Sequence, residues 1–317
     1  MYQTKYDFAD EDFCWKYLTN ETFHNEKAIK QYNGNLYHYT TPQGLIGILE
    51  NQKLWATEFS FLNDASELSY GMNLSIEVLE NEICSHANTI LDKYLLLVED
   101  LIKKKKDINP YFVTSFSEYK DLLSQWKGYG QNGQGFSLGF DLKELTRWKR
   151  KDILDVNYYI QPVIYNCEEQ KNELKNIYKN LIEHIFTLET KGILTDEKLE
   201  EIASSSVALM KLKSIFFKSE FFQEEKEWRI VCRNFYRNVT TVELEQEKVK
   251  FRFIGSKIIP YVELDILPEK SLLPIKEIII GTKNNIDEIN KIISYIYTNF
   301  GQQKLIPELE YSNIPLR

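Results

Sequence analysis

The chain has 317 residues, 43% apolar and 27% charged, a length and mixture that predict a soluble globular protein with a sizeable core. A net charge of −8 argues against a surface that tracks nucleic-acid phosphates over its whole area, leaving room only for a local basic groove. No run of about 18 apolar residues occurs, so no membrane span is expected. Cys14, Cys84, Cys167 and Cys232 are dispersed, without C-x-x-C spacing or His partners at ligand intervals, so no metal site is expected. The opening residues carry no apolar core segment. The expectation is a cytoplasmic chain with reduced thiols.

No internal repeat, low-complexity tract or Pro/Gly/Ser-rich linker appears, which predicts a single domain over 1–317. In chain order, a short helical lead is expected over 12–18, then a strand over 36–40. Thr41 and Pro42 are placed to cap and open a helix through Leu45, Ile48 and Leu49. A strand over 53–57 and a polar loop over 61–67 follow, where Glu67, three residues past Asp64, resembles a capping box. Helical period holds over 68–106, and Lys103 to Lys106 stand where they would complement a helix C-terminus.

Alternation returns over 110–117, then Gly130, Gly133 and Gly135 surround a turn before a strand over 135–140. A strand over 155–165 and a helical pair over 168–218, broken near Gly192, come next. Strands are expected over 227–233, 249–254, 258–264 and 275–281, and a helix over about 285–298. The core therefore spans about 35–282, with helical insertions over 68–106 and 168–218. Strands and helices mix without strict βαβ alternation, so the class is α+β. Neither a G-x-G-x-x-G nor a P-loop pattern is present, which disfavours the common nucleotide folds.

Three constellations break the apolar pattern of predicted strands, which is where a site is expected. In Tyr37-His38-Tyr39-Thr40, period two puts His38 and Thr40 on one face and the tyrosines on the other. The bland reading of His38 is a satisfied structural histidine; the sharper one is a ligand-binding edge where a strand runs into a helix. In Glu225-Lys226-Glu227-Trp228-Arg229-Ile230, Glu225, Glu227 and Arg229 share a face if strand geometry begins by Glu225, with Trp228 and Ile230 in the core. The bland reading is an exposed ion pair. In Thr114-Ser115-Phe116-Ser117, hydroxyls end a strand, and Trp126 and Tyr129 flank a glycine bend as either core residues or a stacking surface. Glu225 and Glu227 as a glycosidase pair are disfavoured, because same-face strand neighbours about 7 Å apart cannot straddle a bond.

Read in order, these pieces resemble one bacterial family, domain of unknown function 2971. They are the Tyr37–Thr40 opening, Leu54-Trp55-Ala56-Thr57, the Asn63-Asp64-x-x-Glu67 loop, Ser115-Phe116-Ser117, Trp126-x-x-Tyr129 and Glu225-x-Glu227-Trp228-Arg229. That family in turn is similar, distantly, to the ADP-ribosyltransferase fold. The resemblance implies a split, mixed or antiparallel sheet holding NAD, as substrate, in a cleft between its halves. It implies His38, Tyr39, Thr40, Ser115 and Arg229 as NAD-binding residues, Trp126 or Tyr129 as the ring stacked on nicotinamide, and Glu227 and Glu225 as catalytic residues. An oxocarbenium-like transition state needs a fixed carboxylate beside it, the role that falls to Glu227, with Glu225 taking a proton from the nucleophile and Ser115 orienting Glu227. His38, Ser115 and Glu227 are then expected to line one cleft. The acceptor implied is a protein or nucleic acid, in a toxin or antiphage-defence setting. The alternative is a non-catalytic nucleotide- or ligand-sensing module with the same cleft.

Overall fold

The computed structural model describes residues 26–62, 65–104, 110–147, 158–233, 249–264 and 272–315; the lead expected over 12–18 lies outside them. The described chain begins with α1 (Glu26–Gln31), β1 (Asn35–Thr40), α2 (Pro42–Asn51), β2 (Leu54–Glu58), α3 (Ala65–Cys84) and α4 (Thr89–Lys103). It continues through β3 (Tyr111–Ser117), α5 (Leu123–Gly128), β4 (Phe136–Asp141), α6 (Leu142–Arg147), β5 (Tyr158–Pro162), α7 (Cys167–Thr190) and α8 (Asp196–Ser214). Last come β6 (Glu227–Arg233), β7 (Lys250–Ile254), β8 (Lys257–Leu264), β9 (Ile275–Ile280), α9 (Ile286–Asn299) and β10 (Glu308–Tyr311). This is an α+β protein. Two compact units divide it, one holding every strand (26–58, 111–162, 223–317) and one built from the helical insertions with their flanks (59–110, 163–222).

In the strand unit, the main path of a ten-stranded sheet runs β10-β9-β4-β1-β3-β2-β8-β7, and β6 branches from β3 to reach β5. Among the described strands only β9 and β10 pair in parallel, so the sheet is mixed and mostly antiparallel. Alternation puts Leu36, Phe112, Phe116, Leu138, Phe140, Trp228, Ile230 and Val262 on one face. Against them pack Leu45, Ile48 and Leu49 of α2 and Ile293, Ile296 and Tyr297 of α9, one apolar stripe from each helix. The expected start of α2 is observed: Thr41 is extended, its hydroxyl accepts from the Gly44 amide at 3.1 Å, and Pro42 opens the first turn.

Strand β3 carries the feature that matters for a site. Along one edge it pairs with β6 over all seven residues, from Tyr111↔Arg233 to Ser117↔Glu227. The other edge is shared: β1 takes only its last residue, through Tyr37↔Ser117, and β2 takes its start, through Thr57↔Val113 and Glu58↔Phe112. The sheet splits there, with Thr114 to Phe116 between the two departing strands.

In the helical unit, side-chain caps start α4 at Asn88, α7 at Asn166 and α8 at Thr195. Two lysines are buried here, each with a carboxylate, Lys213 with Glu173 at 2.8 Å and Lys218 with Glu67 at 3.0 Å. The capping box expected between Asp64 and Glu67 lies outside the described residues at Asp64, and the Glu67 carboxylate pairs with Lys218. Of the Lys103–Lys106 run, Lys103 and Lys104 pair with Glu99 and Asp100 one turn back, as a solvated helix end does. Lys105 and Lys106 lie outside the described residues.

Candidate functional site

The split at β3 gathers side chains from five strands. His38 leaves β1 on the core face, as its alternation with Tyr37 and Tyr39 requires, and it pairs opposite Leu138. Because β1 has departed from β3 at this point, its ring bonds across the gap. Nδ1 lies 2.9 Å from the Ser115 carbonyl, and the ring stands 5.7 Å from that of Phe116. A carbonyl only accepts, so Nδ1 carries the proton and Nε2 keeps its lone pair. Among the described residues Nε2 has no partner. Burial lowers the imidazole to about 4, with the positive charge of Arg252 adding to the effect against the Ser115 bond. The ring is therefore neutral at pH 7.

Glu227 and Arg229 face the other way. In register, Glu227 stands opposite Ser117 and Arg229 opposite Ser115, so the carboxylate shares the face of Ser115 and not the side of β1 from which His38 departs. The cleft expected for His38, Ser115 and Glu227 is therefore not a single face: Ser115 and Glu227 share one, and His38 joins them only through the gap. Nor is the Glu227–Arg229 pair exposed. It is bidentate, with Arg229 Nε and Nη2 donating to the two carboxylate oxygens at 2.7 and 2.8 Å, and both residues are buried.

Four expectations are corrected. Glu225 does not share a face with Glu227, because it ends a 3₁₀ turn (Glu220–Glu225) and Lys226 follows with φ +42°, so period two begins only at Glu227. Ser115 does not orient Glu227; Ser117 stands opposite it, and the Ser117 hydroxyl instead donates to the Glu225 carbonyl at 2.7 Å. Trp126 is fully buried with its indole N–H on Asp121 at 2.6 Å, which leaves Tyr129, 41% exposed, as the ring able to meet a ligand. Tyr39 is tied into the fold, and Thr40 lies buried beside α2. The Tyr39 hydroxyl donates to Tyr119 O and accepts from Leu122 N, both at 2.9 Å, and a Cβ added to Gly44 would come 2.0 Å from the buried Thr40 hydroxyl.

A further cluster, not expected from the sequence, stands on the β2 side of the split. Arg252 of β7 turns inward, its Nη2 donating to the Thr57 hydroxyl at 2.7 Å. Its guanidinium carbon lies 5.3 Å from the Trp55 ring and 5.5 Å from that of Tyr261. The signal was an arginine between Phe251 and Phe253 in a predicted strand, the same kind of break that singled out Arg229. Among the described residues no group of three His, Cys, Asp or Glu could hold a metal, and no helix is long and apolar enough to cross a membrane.

The strand unit thus defines an α+β protein whose mixed sheet divides at β3 around a neutral histidine. Residues 125–230 match the model of the family described as Protein of unknown function (DUF2971), the family that the motifs resemble. The match takes in Tyr129, Glu227 and Arg229, while His38, Ser115 and Arg252 lie outside it. No curated protein and no solved structure matches the chain.

Proposed function

We propose that the split binds NAD and that the protein is an ADP-ribosyltransferase-like enzyme of the bacterial cytoplasm, in a toxin or antiphage-defence setting, passing ADP-ribose to a protein or nucleic-acid acceptor. One arrangement carries the reading: on either side of β3, a neutral imidazole with a free acceptor nitrogen and a carboxylate fixed by two hydrogen bonds. In this reading His38 Nε2 accepts from a ribose hydroxyl, and the exposed ring of Tyr129 stacks on nicotinamide. The nicotinamide–ribose bond breaks with its electrons leaving on nicotinamide. Glu227 then stabilises the positive charge that develops on the sugar, and an acceptor nucleophile closes the new bond. Arg229 serves as a positioning residue.

One observation favours a second reading. Arg229 occupies both oxygens of Glu227 and neutralises its charge, as suits a ligand-sensing module without turnover. NAD consumption and ADP-ribose binding by the purified chain separate the two. Glu227→Gln leaves a buried guanidinium without its counter-charge, so Glu227→Gln/Arg229→Gln, which removes both charges, is measured beside it. Transferase activity in the wild type, reduced at least about 10²-fold in both variants with ADP-ribose binding retained, is expected. Turnover equal to wild type removes Glu227 from the mechanism. Binding without turnover in the wild type selects the sensing module, and no binding of either nucleotide ends both readings.

A further inference from the structure

Arg252 is a largely desolvated cation with no carboxylate partner among the described residues. Burial works against its charge, yet no acidic group among the described residues pairs with it, and its Nε–H is buried without an acceptor. Desolvated charges are ordinarily paired, and although Arg252 as a residue is only partly buried, its enclosed Nε–H calls for an explanation. The carboxylate of β8 on its face, Glu263 opposite Trp55, is held by Lys250 at 2.8 Å. Thr57, buried at 6%, accepts from Arg252 and so keeps its own hydroxyl proton to donate. Trp55 adds a second buried N–H without a partner, and the Trp55 and Tyr261 rings flank the guanidinium and limit its movement. The neighbouring titratable group, His38, is uncharged and does not compete for an anion.

We propose that Arg252 and Thr57 form an anion subsite on the β2 side of the split, made for a phosphate or diphosphate group of the ligand. The clause that makes this anion the diphosphate of a dinucleotide rests on the NAD reading; the subsite itself does not. The guanidinium supplies charge and the Nε–H, the threonine supplies a hydroxyl, and bound phosphate supplies the missing counter-charge.

Inorganic pyrophosphate is the probe, titrated into the full chain by calorimetry while the ring resonances of His38 are followed by NMR. Saturable binding that displaces the His38 signals is expected in the wild type. Arg252→Gln should weaken it about ten- to a hundredfold, the effect of losing a charge-assisted bond, with Arg252→Lys between the two. If Arg252→Gln does not fold, Thr57→Val, which keeps the cation, carries the test with an expected loss of severalfold. No saturable binding in the wild type, or equal binding in the variants, overturns the proposal. NAD bound with unchanged affinity by Arg252→Gln overturns the assignment to a dinucleotide diphosphate and leaves the NAD reading standing. Pyrophosphate bound at Arg252 by a chain that binds neither NAD nor ADP-ribose supports the subsite and ends the NAD reading.

Discussion

Strand β1 meets its two neighbours in opposite ways. Along β4 it pairs at all six residues, Asn35 to Thr40; along β3 it pairs at one. On the complete side two polar side chains of β1 converge on Glu277. Asn35 Nδ2 and the Tyr37 hydroxyl both donate to Glu277 Oε1, at 2.9 and 2.8 Å, and Lys120 stands 3.6 Å from the other carboxylate oxygen. On the interrupted side, His38 Nε2 and Arg252 Nε have no partner among the described residues. The two sides differ in what they leave over: Glu277 gathers polar groups on the complete side, while an imidazole and a guanidinium nitrogen stay open on the other. Adjacent residues, Tyr37 and His38, fall on either side of that line.

The contrast can be broken by substitution. Trp228, with its indole N–H on Glu118 at 2.9 Å and its ring 5.4 Å from Tyr32, belongs to the completed part of the sheet. Trp228→Ala should cost about 3–5 kcal/mol in urea unfolding, with an unchanged denaturant slope. A variant as stable as wild type would mean that the β6 register is wrong.

A smaller effect is expected from His38 through pH. Its folded value, about 4, lies below the 6.5 of the unfolded chain, so between these values the unfolded state binds more protons. Stability should fall by about 2–3 kcal/mol as pH drops from about 6.5 to about 4. His38→Asn, whose amide can still donate to Ser115, should remove that part of the slope. Parallel pH profiles of the two proteins would place His38 among ordinary exposed histidines. Smallest of all is Ser115→Ala, expected within about 0.5 kcal/mol because the hydroxyl is half-buried at the open edge. A melting midpoint displaced by many degrees would show that this edge is structural after all.

Most strands were legible because their alternation is strong, and Thr41-Pro42 announced α2 through capping chemistry. The four-residue β10 was missed, since Glu-Leu-Glu-Tyr is too short to carry a period, and α5 shows only one turn of pattern. The site was read in part. His38 and Glu227 stood out as polar breaks, but their relation depends on where β1 leaves β3, which no local pattern encodes. Glu225 failed on one left-handed residue, Lys226. Arg252 escaped because period two puts Phe251 and Phe253 inward; in the fold both are more than two-thirds exposed and the arginine turns in. Tertiary demand inverted the hydrophobic rule at that strand.

The position of β8 beside β2 has a consequence for how the chain is made. Leu54 pairs with Leu264, so β2 leaves the ribosome 210 residues (264 − 54) before its partner. At roughly 5–20 residues per second that is a wait of about ten to forty seconds. The arm that carries Arg252 and Tyr261 is therefore among the last parts of the sheet to be put in place. Nascent chains shorter than about 264 residues cannot assemble the cluster around Arg252, so the β2 side of the split stays incomplete until β8 has been made.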